Sequence, residues 1–313
     1  MRRANPAGLI ALLAVLGAGW GMTQPLAKIA VSEGYRHFGL VFWQLAIGAA
    51  ALGLLNALRG RGLPVSARHM RLYLLIALIG TVLPNSASYQ AAVHLPSGVL
   101  SILLSLVPIF AFPIALGLGI DRFSARRLAG LAAGLMGVVL LVAPEASLPD
   151  RAMVAWIPVA LIAPFFYGLE GNVVAKWGTA GLDPIQLLFG ASLVGMGLAA
   201  PLALATGQWI APPAPADWGA PDIALVASAL IHASVYAGYV WLVGRAGSVF
   251  AAQVSYLVTA FGILWARLLL GESYSPWIWA SLGLIMAGLV LVQPRPRGGL
   301  APLPPIPDTA PRT

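Results

Sequence analysis

Ten apolar runs of about 20 residues follow one another along the chain, separated by short breaks rich in Gly, Pro or charge. They lie near 7–30, 38–58, 71–93, 97–119, 125–143, 152–176, 184–206, 221–243, 250–271 and 275–293. A run of that length suffices for an α-helix to cross the hydrocarbon of a bilayer. The pattern therefore predicts an all-α integral membrane protein of ten transmembrane helices. Met1-Arg-Arg ahead of Leu9–Gly19 is shaped like a signal peptide. The apolar pattern continues to Ala30 and further spans follow, which predicts an uncleaved first helix. Pro158 and Pro164 in the sixth run predict kinks, tolerable where neighbours or cavity water take the freed carbonyls. Beyond Gln293 the segment Pro-Arg-Pro-Arg-Gly-Gly-Leu-Ala-Pro-Leu-Pro-Pro has no core-forming pattern, so 294–313 is expected to be a disordered tail.

Polar residues inside these runs are few, and their spacing carries the functional signal. Glu170, in Tyr167-Gly-Leu-Glu-Gly-Asn-Val-Val-Ala-Lys176, is the one acid well inside an apolar run. A carboxylate there costs a few kcal/mol or more unless it is protonated, paired or facing water. It marks a substrate or proton site; the competing reading is that it reaches the membrane surface beside Lys176, about 9 Å along the helix. In the eighth run Ser228, His232, Tyr236 and Tyr239 share one helical face. His232 is either a proton-coupling or ligand-binding group, or an imidazole bonded between helices. Asn85 and Tyr89 share a face in the third run, Gln253 and Tyr256 in the ninth, and Trp20, Gln24 and Lys28 in the first. Hydrogen bonding between helices explains any one of these sets, but five spans doing so fit a shared cavity. Lys28 and Lys176 fit helix-terminal anchors better than substrate ligands. Gly130, Gly134 and Gly137 in the fifth run, and Gly283 and Gly288 in the tenth, predict close-packing or dimer helices.

Charge sets the orientation. With the N-terminus inside, 14 of the 18 Lys and Arg fall on the cytoplasmic side, leaving Lys28, Arg36, Arg151 and Arg267 outside. That split places both termini in the cytoplasm of a bacterial inner membrane and turns the loop 207–221, with Trp209 and Trp218, outward. At 59% hydrophobic and 9% charged residues the composition is far from that of soluble proteins, of which about a quarter is charged. The net charge of +8 is scattered between spans, so it forms no compact basic surface for nucleic acid. With no cysteine, disulfides, thiolate metal sites and Cys nucleophiles are excluded.

The chain also repeats itself at an offset near 150 residues. Trp20-Gly21 matches Tyr167-Gly168, Ala27-Lys28 matches Ala175-Lys176, and Phe42 and Gly48 match Phe189 and Gly195. Tyr89 matches Tyr239, Val99 and Ser105 match Val249 and Ser255, and Phe123-Ser124 matches Tyr274-Ser275. Gly137-Val-Val-Leu-Leu-Val142 matches Gly288-Leu-Val-Leu-Val292. Each repeat holds five spans, an odd number, so the second enters the membrane inverted, an arrangement used by secondary transporters. The domains expected are 1–146 and 147–293, followed by the tail.

Trp20-Gly-Met-Thr-Gln-Pro-Leu-Ala-Lys28, Leu95-Pro-Ser-Gly-Val-Leu-Ser-Ile-Leu-Leu-Ser-Leu-Val-Pro-Ile-Phe110 and Leu270-Gly-Glu272 resemble the drug/metabolite transporter superfamily, within it the EamA-type ten-helix carriers. The resemblance spans residues 7–293. It implies secondary transport of small metabolites, often export, through a cavity between the halves. The sequence departs from the pattern at Gln44, where Arg is common, at Gly119-Ile-Asp121 in place of the first Leu-Gly-Glu, and at Val258 in the place of Pro108.

The function expected is a secondary transporter of a small metabolite such as an amino acid or amphipathic compound, working by alternating access with proton coupling and no cofactor or metal. Its substrate-binding residues are Trp20, Gln24, Gln44, Asn85, Tyr89, Tyr167, Glu170, His232, Tyr236, Tyr239, Gln253 and Tyr256. A membrane enzyme would need convergent catalytic groups, whereas the spans hold one deep acid and one deep His and no HExxH, GxSxG or Asp-rich motif. A structural or sensing membrane protein leaves the repeat without a purpose.

Overall fold

The computed structural model describes residues 6–143, 148–246 and 254–292; Gln253 and the Pro-rich tail 294–313 lie outside them. Every regular element among the described residues is helical. The first half holds α1 Pro6–Ala30, α2 His37–Leu58, α3 Ala67–Ile76, a π-helical turn Ala77–Val82, α4 Leu83–His94, α5 Ser97–Leu104, α6 Val107–Gly117 and α7 Ala125–Val142. The second holds a 3-10 turn Arg151–Trp156, α8 Ile157–Trp177, α9 Pro184–Ala205, α10 Ala220–Ala246, α11 Val254–Leu270 and α12 Pro276–Val292. Among the described residues seven helical stretches are long and apolar enough to cross a membrane, and shorter apolar helices accompany them.

Two apolar runs are less regular than their patterns imply. The run 71–93 forms one helical stretch whose centre opens into the π turn, and the run 97–119 is two helices meeting at Ser105–Leu106. Pro108 sits in the first turn of α6, where its missing N–H costs nothing, so α6 restarts there instead of extending α5. Pro158 behaves likewise: it lies in the first turn of α8, at the handover from the 3-10 turn, and starts the helix instead of bending it. α8 then runs unbroken through Pro164.

The packing pairs respect an exchange of the two halves. α1 packs on α10 and α11, while α8 packs on α4 and α6. α2 packs on α10, and α9 on α3. α2 with α9, α5 with α11 and α7 with α12 pair across the exchange. Swapping α1 for α8, α2 for α9, α3–α4 for α10, α5–α6 for α11 and α7 for α12 returns the same set. The matched glycines show why. A Cβ on Gly21 would lie 2.8 Å from Gly262 N and 2.9 Å from Val258 O, and one on Gly168 would lie 3.0 Å from Ala111 N and 3.1 Å from Val107 O. Both repeats thus seat a glycine of their first helix on the backbone of the fourth helix of the other repeat.

α7 and α12 close on each other in the same manner. A Cβ on Gly288 would meet Gly130 O at 2.5 Å, one on Gly137 would meet Ile285 Cγ1 at 2.5 Å, and Ser281 Oγ donates to Gly137 O at 2.7 Å. Gly134 faces Ile109 of α6. Gly134, Gly137 and Gly288 are therefore occupied within one chain, whereas Gly283 faces open space.

The helix ends are fixed by polar groups that the sequence patterns single out. Lys28 Nζ donates to Ala92 O at 2.7 Å and Val93 O at 3.1 Å, and Lys176 Nζ donates to Leu118 O at 2.9 Å. Each lysine supplies donors to carbonyls at the end of a neighbouring helix. Glu272 accepts from Ser97 N at 2.7 Å and Gly98 N at 3.0 Å, placing a carboxylate on the N-terminus of α5. The left-handed residue ending α6 is Gly119, φ 70°, and the one ending α11 is Gly271, φ 65°. Leu118-Gly119 is thus the counterpart of Leu270-Gly271, and Asp121 sits one residue further on, bonded to Arg127. The loop 207–221 packs on the start of α2: Trp43 Nε1 donates to Ile210 O at 2.9 Å, and the tilted rings of Trp209 and Phe42 are centred 4.7 Å apart. Tyr35 donates to Asp222 Oδ1 at 2.6 Å; that bond, with burial and the charges of Asp222 and Glu33, pushes its hydroxyl up to about 12.

Candidate functional site: a polar cavity between the halves

A cavity of about 460 Å³ lies where the two halves meet. α1 contributes Trp20, Thr23 and Gln24; the π turn contributes Gly80 and Thr81; the α5–α6 junction contributes Leu104, Ser105, Val107 and Pro108. From the second half come Tyr167 and Glu170 of α8, Leu188 of α9, His232, Tyr236 and Tyr239 of α10, and Val254, Ser255, Val258 and Thr259 of α11. These residues run from the middle of the helices to the starts of α9 and α11, the end of the bundle that also carries Arg59, Arg61 and Lys176.

Local irregularity makes the space. The π turn widens one wall, and a Cβ on Gly80 would lie 2.7 Å from Oε1 of Glu170. The absent side chain is what lets that carboxylate lie against α3–α4. Glu170 thus faces the cavity and does not extend along α8 toward Lys176. Opposite it, Trp20 packs against a ladder of α10 rings: Tyr239 at 5.3 Å, and Tyr236 and His232 each at 6.3 Å. The face read from the spacing of His232, Tyr236 and Tyr239 is the face that lines the space.

The lining is chemically unsaturated. Among the described residues nothing donates a hydrogen bond to Glu170, and the side chains of Gln24, Thr81, His232, Tyr236 and Tyr239 form none. An enclosed polar group without a partner costs about 1–3 kcal/mol, so such a set is stable only with water or a solute to bond.

Three predicted residues stand behind this wall. Tyr167 donates to Asn85 Oδ1 at 2.6 Å, Asn85 Nδ2 donates to Gln44 Oε1 at 3.0 Å, and Tyr89 donates to the same oxygen at 3.1 Å. Gln44, Asn85 and Tyr89 are not lining residues of the cavity, and Tyr167 links them to it. The other end of the chain, Tyr89, lines a second pocket of about 170 Å³ with Tyr35, Arg36, His37, Gln90, Val93, His94 and Trp156, toward the opposite end of the bundle. Tyr256 does not line the cavity, and Gln253 lies outside the described residues. Sequence reasoning missed Thr23, Gly80, Thr81, Thr259, Ser105 and Ser255. The last two were visible as a repeat match, whereas Gly80 and Thr81 depend on a π turn that no sequence pattern announces.

Two matching helical halves around a polar cavity in a multi-pass membrane protein have the layout of a small-molecule carrier. The chain belongs to the EamA-like transporter family, whose model matches residues 7–143 and 154–293, one match for each half. A solved crystal structure is similar over 92% of this chain and 98% of its own, with a TM-score of 0.60 at 18% identity, a likeness of fold. No curated protein matches the sequence.

Proposed function

We propose that the protein is a proton-coupled secondary transporter that exports a small metabolite across the bacterial inner membrane by alternating access. Its two repeats, divided near 146/147, form ten spans of opposed orientation with both termini in the cytoplasm. The observation that carries the reading is Glu170, an acid in mid-helix that faces a cavity built by both halves and has no hydrogen-bond partner there among the described residues. A group so placed exchanges a proton with whatever solvent the cavity meets, and the meeting side changes as the halves rock. The cavity lies toward the Arg-rich end, and the chain from Tyr167 to Tyr89 separates it from the second pocket. In this reading the fold is held open to the cytoplasm and closed to the outside. Substrate binds in the cavity, and the aromatic ladder on Trp20 forms one of its walls.

The test is transport by purified protein in liposomes with an imposed pH gradient, against a panel of labelled amino acids and amphipathic amines. The parent chain should accumulate at least one of them in proportion to the gradient. E170Q keeps the shape and removes the titrating group, so it should fold normally while losing the gradient dependence. An unchanged pH profile in E170Q would remove Glu170 from the coupling mechanism.

A further inference from the structure

We infer that the cavity selects an organic monocation, an ammonium carried on an apolar body, over zwitterions and anions. This rests on the transporter reading above but concerns only the charge the cavity accepts. Its lining holds one carboxylate, Glu170, and among the described residues no Lys or Arg. The two lysines at helix ends of the matching repeat motif are committed elsewhere, Lys28 to Ala92 and Val93 and Lys176 to Leu118. A carboxylate-bearing solute would therefore meet no fixed positive charge, while its own charge would lie within a few ångströms of Glu170.

The rest of the lining fits a cation as well. Trp20, Tyr236 and Tyr239 cluster in the lining on the α1–α10 side, tilted or edge-on to one another, with Trp20 and Tyr239 centred 5.3 Å apart. Rings attract a cation held within about 6 Å of their centroids, more strongly once water is excluded. Tyr167 and Tyr236 are within electrostatic reach of Glu170, so acid and rings address one volume. Gln24 and Thr81 supply oxygens that accept from an ammonium, and Val107, Pro108 and Val258 supply the apolar seat. At about 460 Å³ the space falls within the range of small-ligand pockets, about 300–1,000 Å³.

The full chain in lipid nanodiscs is titrated calorimetrically, at one pH near neutrality, with three probes sharing a phenylethyl body. These are 2-phenylethylamine, phenylalanine and 3-phenylpropionate. The amine should bind about tenfold or more tighter than phenylalanine, and the anion should not bind, because a desolvated charge left unpaired is the dominant penalty. E170Q should weaken the amine by about tenfold or more, with E170D retaining more affinity than E170Q. G80A keeps the charge but displaces the carboxylate, and should weaken the amine several-fold. Thermal melts establish that each variant is folded, and the ranking of the three probes on the parent chain decides the matter even if a variant is not.

Phenylalanine binding as tightly as the amine, binding of none of the three, or amine affinity retained by folded E170Q would each overturn the inference. Liposome uptake of the same probes separates it from the transport reading. Amine binding without uptake counts against transport and supports the cation site. Uptake of phenylalanine without amine binding supports transport and overturns the cation site.

Discussion

Asp183 ties two helices together at the Arg-rich end of the bundle. Its Oδ1 accepts from Ile185 N at 2.9 Å and Gln186 N at 3.2 Å, capping α9, while Arg59 bonds both carboxylate oxygens at 3.1 Å. Burial alone would push this carboxyl up. The Arg59 hydrogen bond, the Gln186 and Ile185 amides and the Arg59 charge outweigh it and hold Asp183 below its ordinary value of 3.8. A carboxyl lowered by folding contributes stability above its unfolded value and loses it as pH falls through the folded one. D183A should cost about 1–2 kcal/mol through the cap, with the part-exposed ion pair adding little, and D183N, itself a good cap, should cost less. The gap between parent and D183N in thermal melts should be full at neutral pH and shrink below the ordinary carboxylate range; a gap independent of pH would show that the ion pair does not contribute. At this scale the sequence announced the exceptional groups but not their depth. Glu170 stood out because no other acid interrupts an apolar run, and the α10 face followed from helical spacing. The same spacing put Asn85 and Tyr89 on one face, yet it cannot tell a cavity wall from a polar layer one side chain behind it.

Between elements, glycine contact decides how closely helices approach. Gly288 sits over Gly130 O, and Gly137 over Ile285 and Ser281 O, so the α7–α12 seam is packed backbone to backbone. A side chain at either position must force the helices apart, since the nearest atoms at Gly288 are backbone. G288L is therefore expected to lower the melting temperature or prevent folding, whereas G283L, at a position facing open space, should leave the fold intact. If instead G288L folds with an unchanged melting temperature and changes only the oligomeric state, the seam belongs to a dimer. The small-residue stripe was legible in the sequence, but its partner was not, because a glycine face reads the same toward a neighbour in the chain and toward a second copy. Helix limits were legible to within a few residues, since they follow apolar length. The π turn and the α5–α6 break were not, because both arise from local geometry that leaves the apolar pattern unchanged.

For the whole molecule, the repeat is the feature that the sequence carried most fully, since matched positions such as Gly21 and Gly168 make matched contacts. What symmetry leaves out is the difference between the halves in a single state, and here it is concrete. Tyr89 is buried and bonded to Gln44, while its match, Tyr239, faces the cavity without a hydrogen bond among the described residues. Ala191 occupies the place corresponding to Gln44, so the second half has no equivalent amide to fasten Tyr239. The departure from Arg at position 44 thus supplies an oxygen that accepts two hydrogen bonds at once. Within the alternating-access proposal this amide is the fastening of the outer closure. Q44A removes both bonds, each worth about 0.5–1.5 kcal/mol, and should shift the population toward an outward-facing form about fivefold or more. The chain has no native cysteine, so T81C reports access to the cavity directly. A membrane-impermeant thiol reagent added outside should label T81C/Q44A several-fold faster than T81C alone, and the same reagent added to inside-out vesicles should label it more slowly. Faster labelling from both sides would mean that the bundle has loosened, and unchanged rates from both would mean that the closure is held elsewhere. Only opposite changes on the two faces fit a fastening whose loss moves one rigid half against the other.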